Sequence, residues 1–551
     1  MKIINIYIIL ALILSASLFG CARPEAQNGI LIYALKSDPV SLNPVTASEF
    51  ISQTVNSVIF SSLVKRGENM DIEPDLAESW ESDESGKVWT FHLRKGVKWH
   101  DGAEFTADDV EFTFEKLFDP ATNTFNRGLF MAGGKKPEVK AVGIYDIEIK
   151  LPCPYAPFIS NLPSLGIIPK HLLEGKDINR DTFNWKPSGT GPFKFEEWRA
   201  GERICLKANK DYYGGAPRLK GIVFSIIPSP ESRKIAVMTG CADMAEVTPE
   251  DLRELEKASN IRIHKWDQYL YCYMGFDLTN GLFKDAAVRK AINYSIDKEK
   301  IISAVFKGNA VRALGPIPPA SPFYDKGSEP YLKNNKEALR LLEEAGWKRN
   351  SSGIMEKDGR KLSFDVIYPS GNAAFEKAAV FMQAQLKENG IDMRLKAMEF
   401  SALIDRCYPG KFEAVIFNWA ETFDPDCFTE WHSSQAGDDG MNFVSYSNPE
   451  TDRNQEKGRT VYKESEKKKI YSELQRRLSA DSPYVFLWDP KGIAAVSKSV
   501  KGACRPGPAG LLLNPEKIIV ERSREQKDSQ PSCNKEEITK NKEKLLSNHI
   551  N

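Results

Sequence analysis

The chain has 551 residues, of which 41% are hydrophobic and 27% charged, a length that predicts several domains or lobes. Its 75 basic and 75 acidic residues cancel to a formal net charge of zero. That balance argues against a nucleic-acid partner and against adhesion to anionic lipid by charge.

The chain opens with Lys2 and an apolar run over 3–14, interrupted only by Asn5, which leads into Ser15-Ala16-Ser17-Leu18-Phe19-Gly20-Cys21. This is the layout of an export signal, and the run is shorter than the roughly 20 residues a membrane-spanning helix needs. Leu18-Phe19-Gly20-Cys21 resembles the lipobox of bacterial lipoproteins, although Phe19 departs from the small or branched residue usual there. The resemblance implies removal of 1–20, acylation of Cys21 and a short tether over 21–28; two or more acyl chains suffice for stable attachment to a membrane. An exported chain can form disulfides. The eight further cysteines, however, contain no Cys-x-x-Cys pair and no even framework of close spacings. They are expected to be mostly buried small apolar residues, with pairing left open.

Beyond the tether, Ile30–Leu35 is the first strand-like run, and strand and helix patterns then alternate to about residue 520. Val88–Leu93 alternates as a strand, while 107–117 and 286–305 carry helical periodicity, the latter as one long amphipathic helix. The whole reads as an α/β protein. Gly86, Gly96 and Gly102 bracket short strands at 89–93 and 97–100, which predicts a hairpin-like unit closed by His100-Asp101-Gly102. Thr106 is placed as an N-cap with Asp109 at the third helical position, a capping box. Gly189-Thr190-Gly191-Pro192-Phe193 lacks the Lys-Ser/Thr and helix start of a phosphate loop and reads as a tight crossover before a strand running to about Leu206. His92 and His100 belong to no metal-ligand spacing and read as packing residues. There is no Gly-x-Ser-x-Gly elbow, zinc-ligand cluster or nucleotide loop, and Asp108-Asp109 is explained by capping. Neither catalysis, a cofactor nor a metal is expected. The tail 523–551 lacks aromatic residues and is rich in Lys, Glu, Ser, Asn and Gln, a composition that predicts disorder.

Several stretches in register carry a family likeness: Leu76-Ala77-Glu78-Ser79-Trp80, the run 89–102, Phe105-Thr106-Ala107-Asp108-Asp109-Val110, Gly189-Thr190-Gly191-Pro192-Phe193, Asn209-Lys210-Asp211-Tyr212-Tyr213, the run 283–292 and Tyr446-Ser447-Asn448-Pro449. Over roughly 30–520 the chain resembles the family 5 extracellular solute-binding proteins, which serve peptide, dipeptide and nickel ABC importers. The resemblance implies a two-lobed α/β fold of the type II periplasmic-binding kind with an additional inserted domain. In these terms 29–49, 169–266 and 487–522 form one lobe, 50–168 the inserted domain and 267–486 the other lobe. It further implies a monomer at the extracytoplasmic face, hinge closure on a small solute, and delivery to a permease and ATPase complex. Short peptides are the expected cargo; a nickel chelate, sugar or opine-like solute, or a role as a sensory receptor lipoprotein, are the alternatives.

The site candidates follow from the same likeness. After the strand 413–417 comes Asn418-Trp419-Ala420-Glu421-Thr422-Phe423-Asp424-Pro425-Asp426. In many peptide-binding relatives the matching stretch carries an Asp that pairs with the ligand α-ammonium, since a desolvated cation needs a fixed counter-charge. Here the span from Trp419 to Pro425 is one residue shorter than in the oligopeptide binders, so Glu421 or Asp424 takes that role, with Asn418 beside them and Trp419 as a cleft wall. The competing reading is that Asp424-Pro425-Asp426 caps a helix around 428–432. Ser48, Glu49 and Phe50 lie where relatives present backbone to an extended ligand. Arg127 is either a partner for a ligand carboxylate or an exposed surface arginine.

Overall fold

The computed structural model describes residues 29–47, 49–68, 70–328, 331–437, 440–502 and 512–522. The leader, Cys21, the tether, Ser48 and the tail 523–551 therefore lie outside the described residues.

A 12-stranded mixed sheet runs through the molecule, and it has two halves joined by one strand. In the first half Ile30–Leu35 lies parallel to both Gly221–Ile226 and Met244–Glu246, and the hairpin Phe193–Arg199/Arg203–Ala208 extends the edge. In the second, Ser363–Pro369 lies parallel to Asp392–Met398 and Ala414–Ala420, and the last of these pairs antiparallel with Leu270–Phe276. Tyr484–Ser497 belongs to both: its first residues pair with Leu270–Phe276 and Ala310–Arg312, its later ones with Ile261–Asp267 and Met244–Glu246. Side chains alternate along it with period two, so Val485 and Leu487 enter one core of the second half while Tyr484 and Phe486 enter the other. Ala494 and Val496 enter the large core of the first half, and Ala495 the core on that half's opposite face.

The segment between Phe50 and Ile168 adds its own antiparallel sheet, in the order Ala77–Ser82, Val88–Leu93, Asp146–Lys150, Glu138–Ala141. The helix Ala107–Phe118 packs against it, and Thr106 N donates to Asp109 Oδ2 at 3.0 Å as the capping box requires. The expected hairpin between 89–93 and 97–100 does not form. Both edges of Val88–Leu93 are already taken, by Ala77–Ser82 and Asp146–Lys150, and 97–100 makes only a bridge from Lys98 to Glu104. Nor is 286–305 one helix. It breaks at Ile296, whose backbone is extended, and restarts at Lys298 with Asp297 as N-cap, giving Ala286–Ser295 and Lys298–Phe306.

The Gly189–Gly191 crossover is held by His100. Its Nδ1 accepts from Gly189 N at 3.1 Å and its Nε2 lies 3.0 Å from Gly191 O. One ring nitrogen accepting and one donating is the neutral tautomer, and burial pushes the imidazole down to about 4. A Cβ on Gly189 would sit 2.0 Å from Ile59 O, so only glycine allows the crossover to approach that backbone.

Candidate functional site

Where Ala414–Ala420 meets Leu270–Phe276, Trp419 lies opposite Tyr271 and Phe417 opposite Tyr273. The two-residue period sends Tyr271 and Tyr273 to one core, and Cys272 and Met274 to the other. Tyr273 stacks on Tyr484 with ring centroids 3.9 Å apart. Gly275 makes room for this pair, since a Cβ there would lie 2.9 Å from the Tyr484 ring. Trp419 closes the layer: it stacks over Tyr273 at 6.3 Å, packs on Phe443 at 5.2 Å, and donates from Nε1 to Tyr484 Oη at 3.3 Å. It is partly buried, at the margin of this aromatic floor.

Past Trp419 the chain turns away and brings four carboxylates together. Asp424 is buried in an ion pair with Lys467, and its other oxygen accepts from Asp426 N at 3.1 Å. Asp426 faces Arg459 Nε at 3.1 Å. Arg459 in turn lies over Phe428 at 4.1 Å and Tyr155 at 4.9 Å. The short helix Phe428–Trp431 begins after Cys427 with no side-chain cap. Asp424 thus serves a buried pair and a turn, and leaves Glu421 as the acid next to Trp419.

Glu421 and Glu430 differ from these two aspartates. Neither has an ion-pair partner among the described residues; Glu421 Oε1 and Glu430 Oε2 are sealed from solvent without a hydrogen bond, as is Asp426 Oδ1. Burial pushes Glu421 well above the usual carboxylate range, and the charges of Glu430 and Asp426 push it further. Burial likewise raises Glu430 to about 7. Asp426 is raised by burial against the opposing pull of Arg459. The Tyr271 hydroxyl is fully buried and unpartnered, and feels both glutamates. Buried polar atoms left unpaired cost about 1–3 kcal/mol each, so such a concentration is unusual in a finished core.

Across from this cluster stand residues of the inserted segment. Arg66 lies 3.9 Å over Phe423 and donates to Met70 O at 3.1 Å and Ser160 O at 2.5 Å. Tyr155 Oη is 3.5 Å from Asp426 Oδ2, and Ala156 N donates to Arg459 O at 2.7 Å. Tyr462 Oη donates to Gly86 O at 2.8 Å and accepts from Tyr155 N at 3.1 Å. The acidic segment is therefore enclosed between the second sheet half and the inserted segment.

The remaining sequence candidates lie elsewhere. Asn418 is partly buried in the strand opposite Cys272. Glu49 caps the helix Phe50–Ile59, accepting from Ser52 N at 2.6 Å and Val40 N at 2.9 Å, while Phe50 is exposed. Arg127 donates to the carbonyls of Leu117, Asp119 and Thr122, so its guanidinium closes the end of the helix Ala107–Phe118. Glu430, Tyr271, Arg459 and Tyr155 are not among the sequence candidates. The alternation Tyr269, Tyr271, Tyr273 is the available signal for the floor; Arg459 and Tyr155 carry none. Among the described residues no group of three or more His, Cys, Asp or Glu is arranged to hold a metal, and no helix is long and apolar enough to cross a membrane.

The profile described as "Bacterial extracellular solute-binding proteins, family 5 Middle" matches residues 71–440. The chain is similar to the oligopeptide-binding protein AppA of Bacillus subtilis, with 33% identity over 523 residues, 91% of this chain and 95% of AppA. The solved structure of that AppA with a nonapeptide aligns at TM-score 0.78 and 32% identity over 91% of this chain and 100% of AppA. NikZ of Campylobacter jejuni, solved in complex with Ni(L-His), aligns at TM-score 0.79 and 29% identity over 90% of this chain and 100% of NikZ.

Proposed function

The chain belongs to the bacterial extracellular solute-binding proteins of family 5, and we propose on that premise that it captures a short peptide by its ammonium group and delivers it to an ABC permease and ATPase complex. Its fold is the two-lobed type II periplasmic-binding fold with an additional inserted domain, and it is a binding protein, not an enzyme. In this reading the lobes are those outlined from sequence, closing about the shared strand Tyr484–Ser497, and Cys21 carries the lipid that holds the protein at the extracytoplasmic face.

The observation that carries the reading is Glu421, beside Trp419, with a solvent-sealed oxygen that no donor meets. A buried acceptor of this kind is satisfied by a cation that arrives with its own hydrogens, and an ammonium does both. Trp419 and the tyrosine layer offer apolar surface to the adjoining part of the ligand. A nickel complex is the second reading, favoured by the TM-score of 0.79 to NikZ against 0.78 to AppA.

Native mass spectrometry of the purified protein separates the two. A heterogeneous set of co-purified short peptides is the expected result; a single metal-containing species would overturn the peptide assignment.

A further inference from the structure

The inserted segment and the second sheet half are built on separate cores. Trp89 and Tyr155 pack into the large core shared with the first half, whereas Phe443, Tyr471 and Leu474 belong to the aromatic core under Trp419. Where the two bodies meet, the connection between the helices Pro449–Gly458 and Glu464–Asp481 supplies polar contacts. Tyr462 Oη donates to Gly86 O at 2.8 Å and accepts from Tyr155 N at 3.1 Å, so the hydroxyl both donates and accepts across the junction. Its ring lies 6.2 Å from Trp89, and so close to Gly86 that a Cβ there would sit 2.5 Å from it. Arg459 O accepts from Ala156 N at 2.7 Å, while Arg459 Nε faces Asp426 at 3.1 Å. One residue thereby holds the inserted segment through its backbone and the acidic segment after Trp419 through its side chain.

Resting on the two-lobed reading above, we infer that 459–462 is a clasp: as the lobe 267–486 closes, Tyr462 seats on Gly86 and Tyr155, and this seating sets how long a captured solute is retained. The contact is built to separate. Tyr462 is 43% exposed, so its hydroxyl returns to water without opening a core. Gly86 O keeps a second donor, Trp89 Nε1 at 3.1 Å, when Tyr462 leaves. A second contact of the same kind joins the lobes elsewhere, where Lys377 Nζ on the helix Ala373–Glu388 meets Glu250 Oε1 at 3.4 Å, both exposed. Tyr462 is a positioning residue. It acts on the site through the neighbouring Arg459 and through Asp426, and its bonds form only once the lobes have met, so it bears on release and not on entry.

The test is Tyr462→Phe in the full chain, which keeps the ring on Trp89 and removes only the hydroxyl. Hydrogen exchange resolved to single residues should show the amides of Tyr155 and Ala156 protected in the purified parent, and exchanging about fivefold faster in the variant, the effect of about one net hydrogen bond. Ala156 is the informative one, because its own acceptor, Arg459 O, is untouched by the substitution. Trialanine, followed by surface plasmon resonance, should leave the variant about fivefold faster, with association within about twofold of the parent. Small-angle scattering should give the variant the larger radius of gyration. Faster exchange at Tyr155 alone would mark a local contact and overturn the clasp. Unchanged release of trialanine would overturn it too, as would slowed association in its place, which would put Tyr462 at the point of entry. If trialanine does not bind the parent, the peptide reading fails by itself. The clasp is then decided by Ala156 exchange and scattering, and an unchanged value in either would overturn it.

Discussion

The crossover under the inserted sheet and the segment that follows Ala414–Ala420 use the same materials, buried carboxylates and indoles, to opposite effect. At the crossover Asp109 accepts from Thr106 N, Lys170 N and Trp99 Nε1 at 2.9–3.3 Å. Its neighbour His100 is bonded through both ring nitrogens. At the other segment, Glu421, Glu430 and Tyr271 keep buried atoms without partners. At the crossover the carboxylate and the imidazole are satisfied and the unpaired buried atoms are the hydroxyls of Ser188 and Thr190, whereas the other segment leaves carboxylate oxygens unmet. The signature around Trp99 is a structural joint, and under the proposed function the segment after Trp419 is where a ligand has something to supply.

The comparison breaks if removing charge acts alike in the two places. Asp109→Ala should cause the largest effect, a loss of about 3 kcal/mol, because one buried and two part-buried donors lose their acceptor at about 1–3 kcal/mol for a buried one and less for the others. Urea denaturation reads this directly; a loss below about 1 kcal/mol would mean the joint tolerates orphaned donors. Glu421→Gln should act with the opposite sign on the empty protein. A carboxylate raised on folding is a stabilising influence below its unfolded value that is lost as pH rises, so the amide should raise the melting temperature, and increasingly so from about pH 4.5 upward. The same substitution should weaken peptide binding at least tenfold, about 1.4 kcal/mol. A lower melting temperature at pH 8 would show that Glu421 is structural after all. The smallest effect is expected for Arg127→Ala, a loss of about 1–2 kcal/mol from the end of the helix Ala107–Phe118, with peptide affinity within about twofold of the parent. A tenfold loss of affinity would return Arg127 to the ligand.

Local chemistry is readable in the sequence where neighbours decide it. Thr106 and Asp109 are three residues apart, and Val88–Leu93 alternates in its own six residues. The expected hairpin fails because glycine turns are local whereas strand pairing is not: the second partner of Val88–Leu93 is Asp146–Lys150. The helix break is hidden because Ile296 continues the apolar stripe and Asp297 falls where a polar face is expected. In the site, Trp419 and Glu421 stand out on one short segment. The use of Asp424 depends on Lys467, 43 residues further on, and the use of Asp426 on Arg459, so their pairing has no trace in spacing.

Tyr484–Ser497 has a further consequence, in how far a single substitution reaches. The strand that completes both halves of the sheet lies near the end of a 551-residue chain. The strands paired with it, Leu270–Phe276 in one half and Met244–Glu246 in the other, each have it as a neighbour, so a substitution that distorts it reaches both halves at once.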